Sequence, residues 1–488
     1  MDPTTPHTFV EPSPRLRGFP VQASPSFSDL AAEATRLAAG HDEDGLISLA
    51  MPLAPVDPLR VLPELQDGEG FRFLWDGSPG LCLAASGRAH HLELSGPRRF
   101  ELAQRFSALT LSRLASGPLP CPALARPRLL LAFAFFASPL LPGDGAPGVQ
   151  AVLPRWQLSR QGHHCWLRLQ GGLGGGVTPR GLAEELWEKA RRLESCAAAG
   201  DSPSHAPKLW ATPLAIEPSW QVGYRQALEK ALELVRGGDL RKLVLAARQQ
   251  LRLESAPDPL TLLAELRHSQ SGSCRFLWQR RPGEALLGAS PERLLTVRQG
   301  QLCSDGLAGT APQGEAAPDL LRSVKDRHEH ELVVDTITEV LQAAGLNPRR
   351  SRHPRLARHG ALVHLHTPIT ARLGGQHPLT LAEALHPTPA VAGLPRRQAM
   401  AWLRTLEPFE RGHYAAPIGW LDSEGDADLR VAIRSGILRG DQLELTAGAG
   451  LVCGSQPERE LQEVALKLGV LQQQLHLLGD PSHHLAPC

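Results

Sequence analysis

The expected fold class follows from residues 219–253, whose sequence is SWQVGYRQALEKALELVRGGDLRKLVLAARQQLRL. Apolar residues at helical spacing in the first part predict a helix that Gly237 and Gly238 end. The apolar run after it predicts a strand. Lys242 stands at the start of that strand, where a lysine is costly unless it is exposed, paired or catalytic. A stem that reaches along the surface to solvent is the alternative explanation.

Other segments extend this pattern of helices mixed with strands. FRFLWDG (71–77) and GLCLAASGRAHHLEL (80–94) predict a strand pair, LLLAFAFFAS (129–138) a buried strand, and GLAEELWEKARRLES (181–195) an amphipathic helix. The strands do not alternate regularly with helices, which argues against a doubly wound parallel sheet. We therefore predict an α/β protein with mainly antiparallel strands.

Composition excludes several classes of protein. The 488 residues include 51 Lys and Arg against 50 Asp and Glu, a balance that favours neither a nucleic-acid partner nor a membrane surface. The eight cysteines form no C-x-x-C pair, and the first residues lack the pattern of a signal peptide. The most apolar run, 129–141, is too short to span a bilayer. We expect a cytoplasmic protein with reduced thiols.

The chain divides by composition into four parts. Residues 1–28 are rich in Pro, Ser and Thr and predict a loose arm, and residues 195–213 resemble a Pro-rich linker. We therefore distinguish the arm, an N-terminal half at 29–213, a catalytic region at 214–476 and a tail at 477–488. The glycine-rich segment 171–177 lacks the Lys-Ser/Thr of a phosphate-binding loop.

One pair of acids lies in the segment DLLRSVKDRHEHELVVDTITEVLQAAG (319–345), which predicts a long helix that starts after Pro318 and ends at Gly345. Asp326 and Glu329 are three residues apart and share one helix face. His328 and His330 point to different faces, so the helix does not match the H-E-x-x-H pattern of zinc proteases. A solvated helix face is the alternative explanation.

A second acid pair follows a glycine-rich segment in TAGAGLVCGSQPERELQEVALKLGVL (446–471), which predicts a turn and then a helix. Glu460 and Glu463 are again three residues apart, and Lys467 lies one turn further on. Two such helices can share one divalent cation, and oxygen ligands with retained waters suit Mg²⁺. The backbone N–H groups of 448–450 can bind a carboxylate. A capped helix with surface ion pairs is the alternative.

Two further segments place charge beside apolar residues. LLGASPERLL (286–295) turns at Ser290–Pro291 and leaves Glu292 at the turn. DLRVAIRSGIL (428–438) alternates as one strand, with Arg430 and Arg434 on the same face. Arg434 suits bidentate binding of a substrate carboxylate. A glutamate that only stabilises its turn and an arginine in a structural ion pair are the alternatives.

These segments together resemble the chorismate-utilising enzyme family, most strongly over 215–475. Nine segments match the family's blocks in the family's order: KLVLAAR, LLGASPERLL, LAGTAP, KDRHEHELVV, VHLHTPI, HPTPAVAG, RGHYAAPIGW, DLRVAIRSG and GAGLVCGSQPERELQE. The resemblance implies one large α/β domain of two stacked, mainly antiparallel sheets flanked by helices. The N-terminal half is woven into that domain, so the linker at 195–213 does not divide it.

Within the family the segments resemble isochorismate synthases, which move a hydroxyl group of chorismate from C4 to C2. The resemblance implies that Lys242 activates the water and that Glu292 protonates the departing hydroxyl. It also implies Mg²⁺ bound directly by Glu329 and Glu463, and through water by Asp326 and Glu460. The substrate-binding residues implied are Thr310, His364, Tyr414, Arg434, Gly448, Ala449, Gly450 and Lys467.

Related activities remain as alternatives. Lys242 and Ala308 disfavour the amino-transferring branches of the family. A salicylate synthase uses the same lysine and glutamate and then eliminates pyruvate, and a non-catalytic chorismate-binding subunit is a further alternative. The resemblance is slightly closer to menaquinone-branch than to siderophore-branch enzymes, and it implies a monomer. The departures from the family pattern are Gln313, Ala392 and Leu461.

Overall fold

The computed structural model describes residues 25–39, 45–66, 68, 70–77, 80–117, 122–139, 145–173, 176–198, 209–213, 220–314 and 317–478. The helices in these ranges are α1 Phe27–Ala38, α2 Pro58–Val61, α3 Arg99–Ser112, α4 Pro179–Ala198, α5 Trp220–Arg236, α6 Pro259–Ser269, α7 Val324–Ala343, α8 Pro378–Leu385, α9 Arg396–Leu406 and α10 Pro457–Gln474. The strands are β1 Leu46–Leu53, β2 Arg72–Asp76, β3 Cys82–Ser86, β4 His90–Leu94, β5 Leu114–Ser116, β6 Arg128–Phe133, β7 Val149–Leu153, β8 Trp156–Gln161, β9 His164–Gly172, β10 Leu209–Pro213, β11 Lys242–Leu253, β12 Cys274–Arg281, β13 Glu284–Ser290, β14 Arg293–Arg298, β15 Gln301–Pro312, β16 Arg349–Arg350, β17 Arg355–His359, β18 Leu362–Arg372, β19 Gly393–Leu394, β20 Pro417–Asp422, β21 Ala427–Val431, β22 Ser435–Arg439, β23 Gln442–Val452 and β24 Leu477–Leu478.

The strands form two large sheets. The first has the order β24-β10-β11-β23-β22-β13-β12-β2-β3-β8-β9-β1-β5, with β19 paired to β11, and the second has the order β16-β18-β15-β14-β21-β20-β6-β7-β4, with β17 paired to β18. All pairs are antiparallel except β1 with β5 and β10 with β24. Strands from both halves of the chain are neighbours, as β2 is to β12 and β6 to β20. The predicted fold class is confirmed.

The two sheets pack face to face through large apolar side chains. One core cluster contains Phe73 and Trp278 from the first sheet with Leu130 and Trp420 from the second. The indole N–H of Trp278 donates a hydrogen bond to Gln150 of the second sheet at 2.9 Å. Burial of such side chains contributes about 1.5–3 kcal/mol each, so this layer holds the sheets together.

Two chain segments cross from one sheet to the other side by side. β13 of the first sheet continues through 290–292 into β14 of the second, and β21 of the second continues through 432–434 into β22 of the first. The crossings are hydrogen-bonded to each other, because Val431 N donates to Glu292 O at 3.1 Å and Ala289 N donates to Arg434 O at 3.0 Å.

The prediction of one alternating strand over 428–438 is therefore wrong. The backbone of Arg434 has a φ of 52°, a left-handed conformation in which a strand cannot continue. Arg430 stays in the second sheet and pairs with Asp428 at 2.8 Å, whereas Arg434 reaches the space between the sheets.

The two helices with acid pairs differ from their predictions at one point each. The segment before α7 forms a 3₁₀ turn at Ala317–Leu321, and α7 begins only at Val324, where Ser323 caps it. Gly345, with a φ of 82°, follows its end as predicted. The expected turn at 448–450 is wrong, since this segment lies inside β23 and pairs with β11 over its whole length.

Parts of the predicted arm, linker and tail lie outside the described residues, namely 1–24, 199–208 and 479–488. Within the described ranges, α1 begins at Phe27, and the two ends of the linker belong to α4 and β10. None of the described helices combines the length and the apolar character that a membrane crossing requires.

Candidate active site

A cavity lies where the two crossings meet β11, β23, α7 and α10. Ten of the fourteen residues predicted for the site line it, so the structure brings together segments far apart in sequence. They are Glu292, Thr310, Glu329, His364, Tyr414, Arg434, Gly448, Gly450, Glu463 and Lys467. The sequence had not indicated its apolar lining by Val244, Leu307, Ala390, Val391 and Ile433.

Lys242 lies just behind this lining. Its side chain is 0% exposed, and its Nζ forms an ion pair with Glu329 Oε1 at 3.0 Å. The absence of a side chain at Gly450 makes room for this pair, because a Cβ there would lie 2.0 Å from Glu329 Oε1 and 3.2 Å from Lys242 Cε. A lysine that reaches solvent along its stem is excluded by this burial.

Glu292 is placed at the first crossing with its carboxyl group in the cavity. Burial raises the pKa of Glu292 to about 8, and the nearby charge of Lys242 opposes that rise. Among the described residues, its Oε1 accepts only a long hydrogen bond, 3.4 Å, from the hydroxyl of Thr388. A buried carboxyl with this pKa carries its proton at neutral pH and can donate it to a bound molecule.

The acids of α7 and α10 surround a lysine, Lys325, that the sequence had not indicated for the site. Lys325 Nζ lies 3.1 Å from Glu460 Oε1, 3.6 Å from Glu329 Oε2 and 3.8 Å from Asp326 Oδ1. The signal was its position four residues before Glu329 on the same helix face. On the next turn of α10, Lys467 pairs with Glu463 at 2.7 Å and donates to Gly448 O at 2.8 Å.

Neighbouring opposite charges shift the pKa values within this acid cluster. Burial alone would raise the pKa of Glu329, but the charges of Lys242 and Lys325 outweigh it and hold that pKa below its usual value. Burial also disfavours a charged Lys325, yet the surrounding carboxylates, Glu329 first, raise its pKa. Burial raises the pKa of Glu460. All four acids and three lysines therefore form one electrostatic unit.

The donor set fits a hard divalent cation. All four acids offer oxygen, and Oε2 of Glu460 is buried without a hydrogen-bond partner among the described residues. Within those residues, no three His, Cys, Asp or Glu side chains are close enough together to hold an ion as they stand. The position between the carboxylates is taken by the ammonium group of Lys325, which is itself a cation.

Another part of the lining is suited to an anion. Arg434 is 7% exposed and has no carboxylate within ion-pair distance in the described part of the chain. Burial lowers its pKa to about 10, so the guanidinium stays charged at neutral pH. Its strained backbone at a φ of 52° is held by the crossing. A structural ion pair is therefore not the role of Arg434, although it is the role of Arg430.

His364 orients this arginine. Its Nδ1 lies 3.1 Å from the carbonyl oxygen of Gly309 and 3.2 Å from the hydroxyl of Thr310. Because Nδ1 must donate to the carbonyl, Nε2 is the acceptor for the Nη2 of Arg434 at 3.3 Å. Burial lowers the pKa of His364 well below its usual value, which agrees with this neutral tautomer. Burial likewise raises the pKa of the nearby Tyr414 to about 12.

The remaining predicted residues lie close by or in the core. Asp326 and Glu460 contact Lys325 rather than the cavity. The side chain of Ala449 is buried in the hydrophobic core, on the opposite side of β23 from Gly448 and Gly450. His366, which we had not assigned to the site, pairs with Asp305 at 3.0 Å.

Known proteins with similar sequences belong to one enzyme family. The family model described as chorismate binding enzyme matches residues 32–476. The salicylate biosynthesis isochorismate synthase of Pseudomonas aeruginosa is 33% identical over 463 residues, which is 90% of this chain and 92% of that protein. The isochorismate synthase EntC of Escherichia coli is 37% identical over 259 residues, 51% of this chain and 66% of that one.

A solved structure shows the same architecture. The menaquinone-specific isochorismate synthase MenF of Escherichia coli superposes with a TM-score of 0.72 at 26% identity, over 91% of this chain and 99% of that one. The anthranilate synthase component I of Streptococcus pneumoniae has the same fold, with a TM-score of 0.64 at 19% identity.

Proposed function

The chain belongs to the chorismate-binding enzyme family, and from this premise we propose that it is an isochorismate synthase. The observation that carries the proposal is a buried glutamate, Glu292, in the cavity lining with a fully buried lysine, Lys242, just behind that lining and close enough for its charge to act on Glu292. The pKa of Glu292, about 8, leaves it protonated at neutral pH. One group is thus placed to take a proton and the other to give one, as an exchange of hydroxyl groups requires.

The proposed reaction conserves atoms and protons. Water adds at C2 of chorismate while the ring double bond shifts and the C4 hydroxyl leaves. Lys242, as the amine, takes one proton from the attacking water, and Glu292 gives one proton to the departing hydroxyl, which leaves as water. The enzyme then returns a proton from the lysine to the glutamate before the next turnover.

Binding and orientation fall to the anion-binding part of the lining. Arg434, held by His364 and without a carboxylate of its own, suits the pyruvyl-ether carboxylate of chorismate. Tyr414, Thr310 and the backbone of 448–450 border the same space. The apolar residues Val244, Leu307, Val391 and Ile433 exclude water from the ring, so charged groups there interact more strongly than in solvent.

For the other carboxylate we propose a site for Mg²⁺, with Glu329 and Glu463 as direct ligands and Asp326 and Glu460 acting through water. Such an ion, when bound, neutralises the C1 carboxylate. Charge counting supports this proposal. With Lys242 as the amine, the four carboxylates outnumber the ammonium groups of Lys325 and Lys467 and the guanidinium of Arg434 by one charge, so the two further negative charges of chorismate favour a divalent cation beside them.

Relatives' names bear on the use of the product. The relative that aligns along nearly the whole chain is named for salicylate biosynthesis, and the matched E. coli structure is menaquinone-specific. We propose that this chain releases isochorismate to a separate enzyme. The use of isochorismate in menaquinone or siderophore synthesis stays a prediction. The monomeric state of this chain also stays a prediction.

The test is incubation of the pure chain with chorismate and Mg²⁺, with products separated by chromatography. We expect isochorismate to accumulate without salicylate. Accumulation of salicylate would instead show that the chain is a salicylate synthase. If neither product forms and chorismate is not consumed, the chain is a non-catalytic chorismate-binding subunit. Lys242→Ala should abolish the reaction, while the surface variant Glu458→Gln should not. Near-normal turnover by Lys242→Ala would show that another group is the base.

A further inference from the structure

We propose that Lys325 is the resident counter-ion of the acid cluster and that it exchanges with the divalent cation. Its ammonium group lies among the carboxylates in the metal-free protein and swings out to solvent when the cation enters. The inference rests on the proposed function only for the location of the cation site.

The contacts of Lys325 define it as a competitor for that site. Its Nζ lies within 4 Å of oxygens from Glu460, Glu329 and Asp326, at 3.1, 3.6 and 3.8 Å. These carboxylates come from two helices, so the ammonium group bridges α7 and α10. A Mg²⁺ ion needs oxygens at about 2.0–2.1 Å in octahedral geometry, which they cannot supply while the ammonium lies between them.

Two of the remaining carboxylate oxygens of the cluster are also paired with lysines. Oε1 of Glu329 is already paired with Lys242 at 3.0 Å, and Oε1 of Glu463 with Lys467 at 2.7 Å. Of the three lysines in this unit, Lys242 is 0% exposed at its side chain and Lys467 also holds the backbone of Gly448. Lys325 is therefore the cation that can leave without breaking the strand or the cavity wall.

The position of Lys325 on its helix provides the way out. It is the second residue of α7, its side chain is 26% exposed, and its neighbour Val324 is 84% exposed. The start of the helix does not depend on the lysine, because Ser323 Oγ accepts a hydrogen bond from Asp326 N at 3.2 Å. A rotation of the side chain thus breaks ion pairs without unwinding the helix.

Side-chain chemistry agrees with an exchangeable counter-ion. Only six of the 51 basic residues are lysines, at positions 189, 208, 230, 242, 325 and 467, and three of the six meet in this unit. A lysine is a point charge on a flexible stem, whereas an arginine grips carboxylates through a planar fork. An arginine at 325 would hold the carboxylates more firmly and release them less readily.

The first experiment measures Mg²⁺ affinity of the full chain by calorimetry without chorismate. Lys325→Met keeps an apolar stem but removes the charge, and it should bind Mg²⁺ about tenfold or more tightly. Lys325→Arg should bind it more weakly than the wild type. The control Lys230→Met makes the same charge change on the surface and should match the wild type. Unchanged or weaker binding by Lys325→Met would refute the exchange.

The second experiment uses the wild type alone and does not depend on the folding of a variant. Amine labelling followed by mass spectrometry should show that Lys325 is modified severalfold faster with saturating Mg²⁺ than without it, while Lys230 is unchanged. Equal or slower labelling of Lys325 with Mg²⁺ refutes the proposal.

The proposed function fails independently of this inference. If the exchange occurs but chorismate is not converted, the function is wrong and the counter-ion role stands. If Mg²⁺-dependent isochorismate formation occurs without the changes at Lys325, only the exchange is wrong.

Discussion

Substitution of Glu292 by glutamine tests the general acid through both stability and activity. The native carboxyl has a pKa of about 8 against an ordinary value of 4.5, and burial is the cause. Between these two pH values the folded state keeps a proton that the unfolded state has lost. The free energy of unfolding therefore falls as pH rises through this window, by about 1.4 kcal/mol per pH unit.

The sum over the window is large enough to measure. Because the pKa of Glu292 rises from 4.5 to about 8 on folding, the free energy of unfolding of the wild type falls by roughly 5 kcal/mol between pH 4.5 and 8. Glutamine has the same shape and no titratable group, so Glu292→Gln lacks this loss. For 488 residues the unfolding entropy is about 1 kcal/mol/K, so the thermal midpoints should diverge by roughly 5 °C, with the variant the more stable at pH 8.

The assay is thermal unfolding of both proteins from pH 4.5 to 9, with Glu458→Gln as a control. Glu458 is exposed, and its one ion pair within the described ranges is with Arg225 at the surface, so its substitution should leave the pH dependence unchanged. In parallel, isochorismate formation should fall by about 10²–10⁴-fold in Glu292→Gln and decline above about pH 8 in the wild type. Parallel midpoint curves for wild type and Glu292→Gln would refute the buried, protonated carboxyl.

Two further substitutions test other parts of the cavity. Gly450→Ala places a Cβ against Glu329 and Lys242, so turnover should fall by about tenfold or more without loss of the fold. The control Gly469→Ala adds a Cβ in open space on α10 and should be as active as the wild type. Equal turnover in a well-folded Gly450→Ala protein would contradict the tight fit at this position. Arg434→Lys cannot bind a carboxylate through two parallel hydrogen bonds, so the KM for chorismate should rise by about tenfold or more while kcat changes less. An unchanged KM would show that Arg434 does not bind a substrate carboxylate.

Local patterns predicted the elements that local forces determine. The helix α5 ends where Gly237 and Gly238 follow it, and α10 begins with Pro457 at its first position. β11 begins at Lys242 as the apolar run indicated. In these segments, spacing and capping residues decide the structure, and distant partners do not change the outcome.

The errors lie where distant partners decide. Residues 448–450 are rich in glycine and suggest a turn, but eleven residue pairs between β11 and β23 draw them into a strand. The residues of 428–438 alternate like one strand, yet the second half pairs with β13 in the other sheet. Lys325 was not predicted for the site because its partner Glu460 is 135 residues away in sequence.

The two crossings explain why Glu292 and Arg434 lie in one cavity. β13 pairs with β22 in the first sheet, with Gly288 opposite Ser435, and β14 pairs with β21 in the second, with Arg293 opposite Arg430. These two registers fix Glu292 and Arg434 between the sheets. A Cβ at Gly288 would lie 2.7 Å from Arg434 O, so the approach is close at the crossing itself.

A strand register also specifies which face each side chain takes. A slip of one residue between β13 and β22 would turn neighbouring side chains to the opposite face of the sheet. The same slip would move Arg434 relative to Glu292. The catalytic geometry is therefore a property of the pairing of two sheets and of no single segment. This is why each segment, taken alone, was as well explained by a turn or by a structural ion pair.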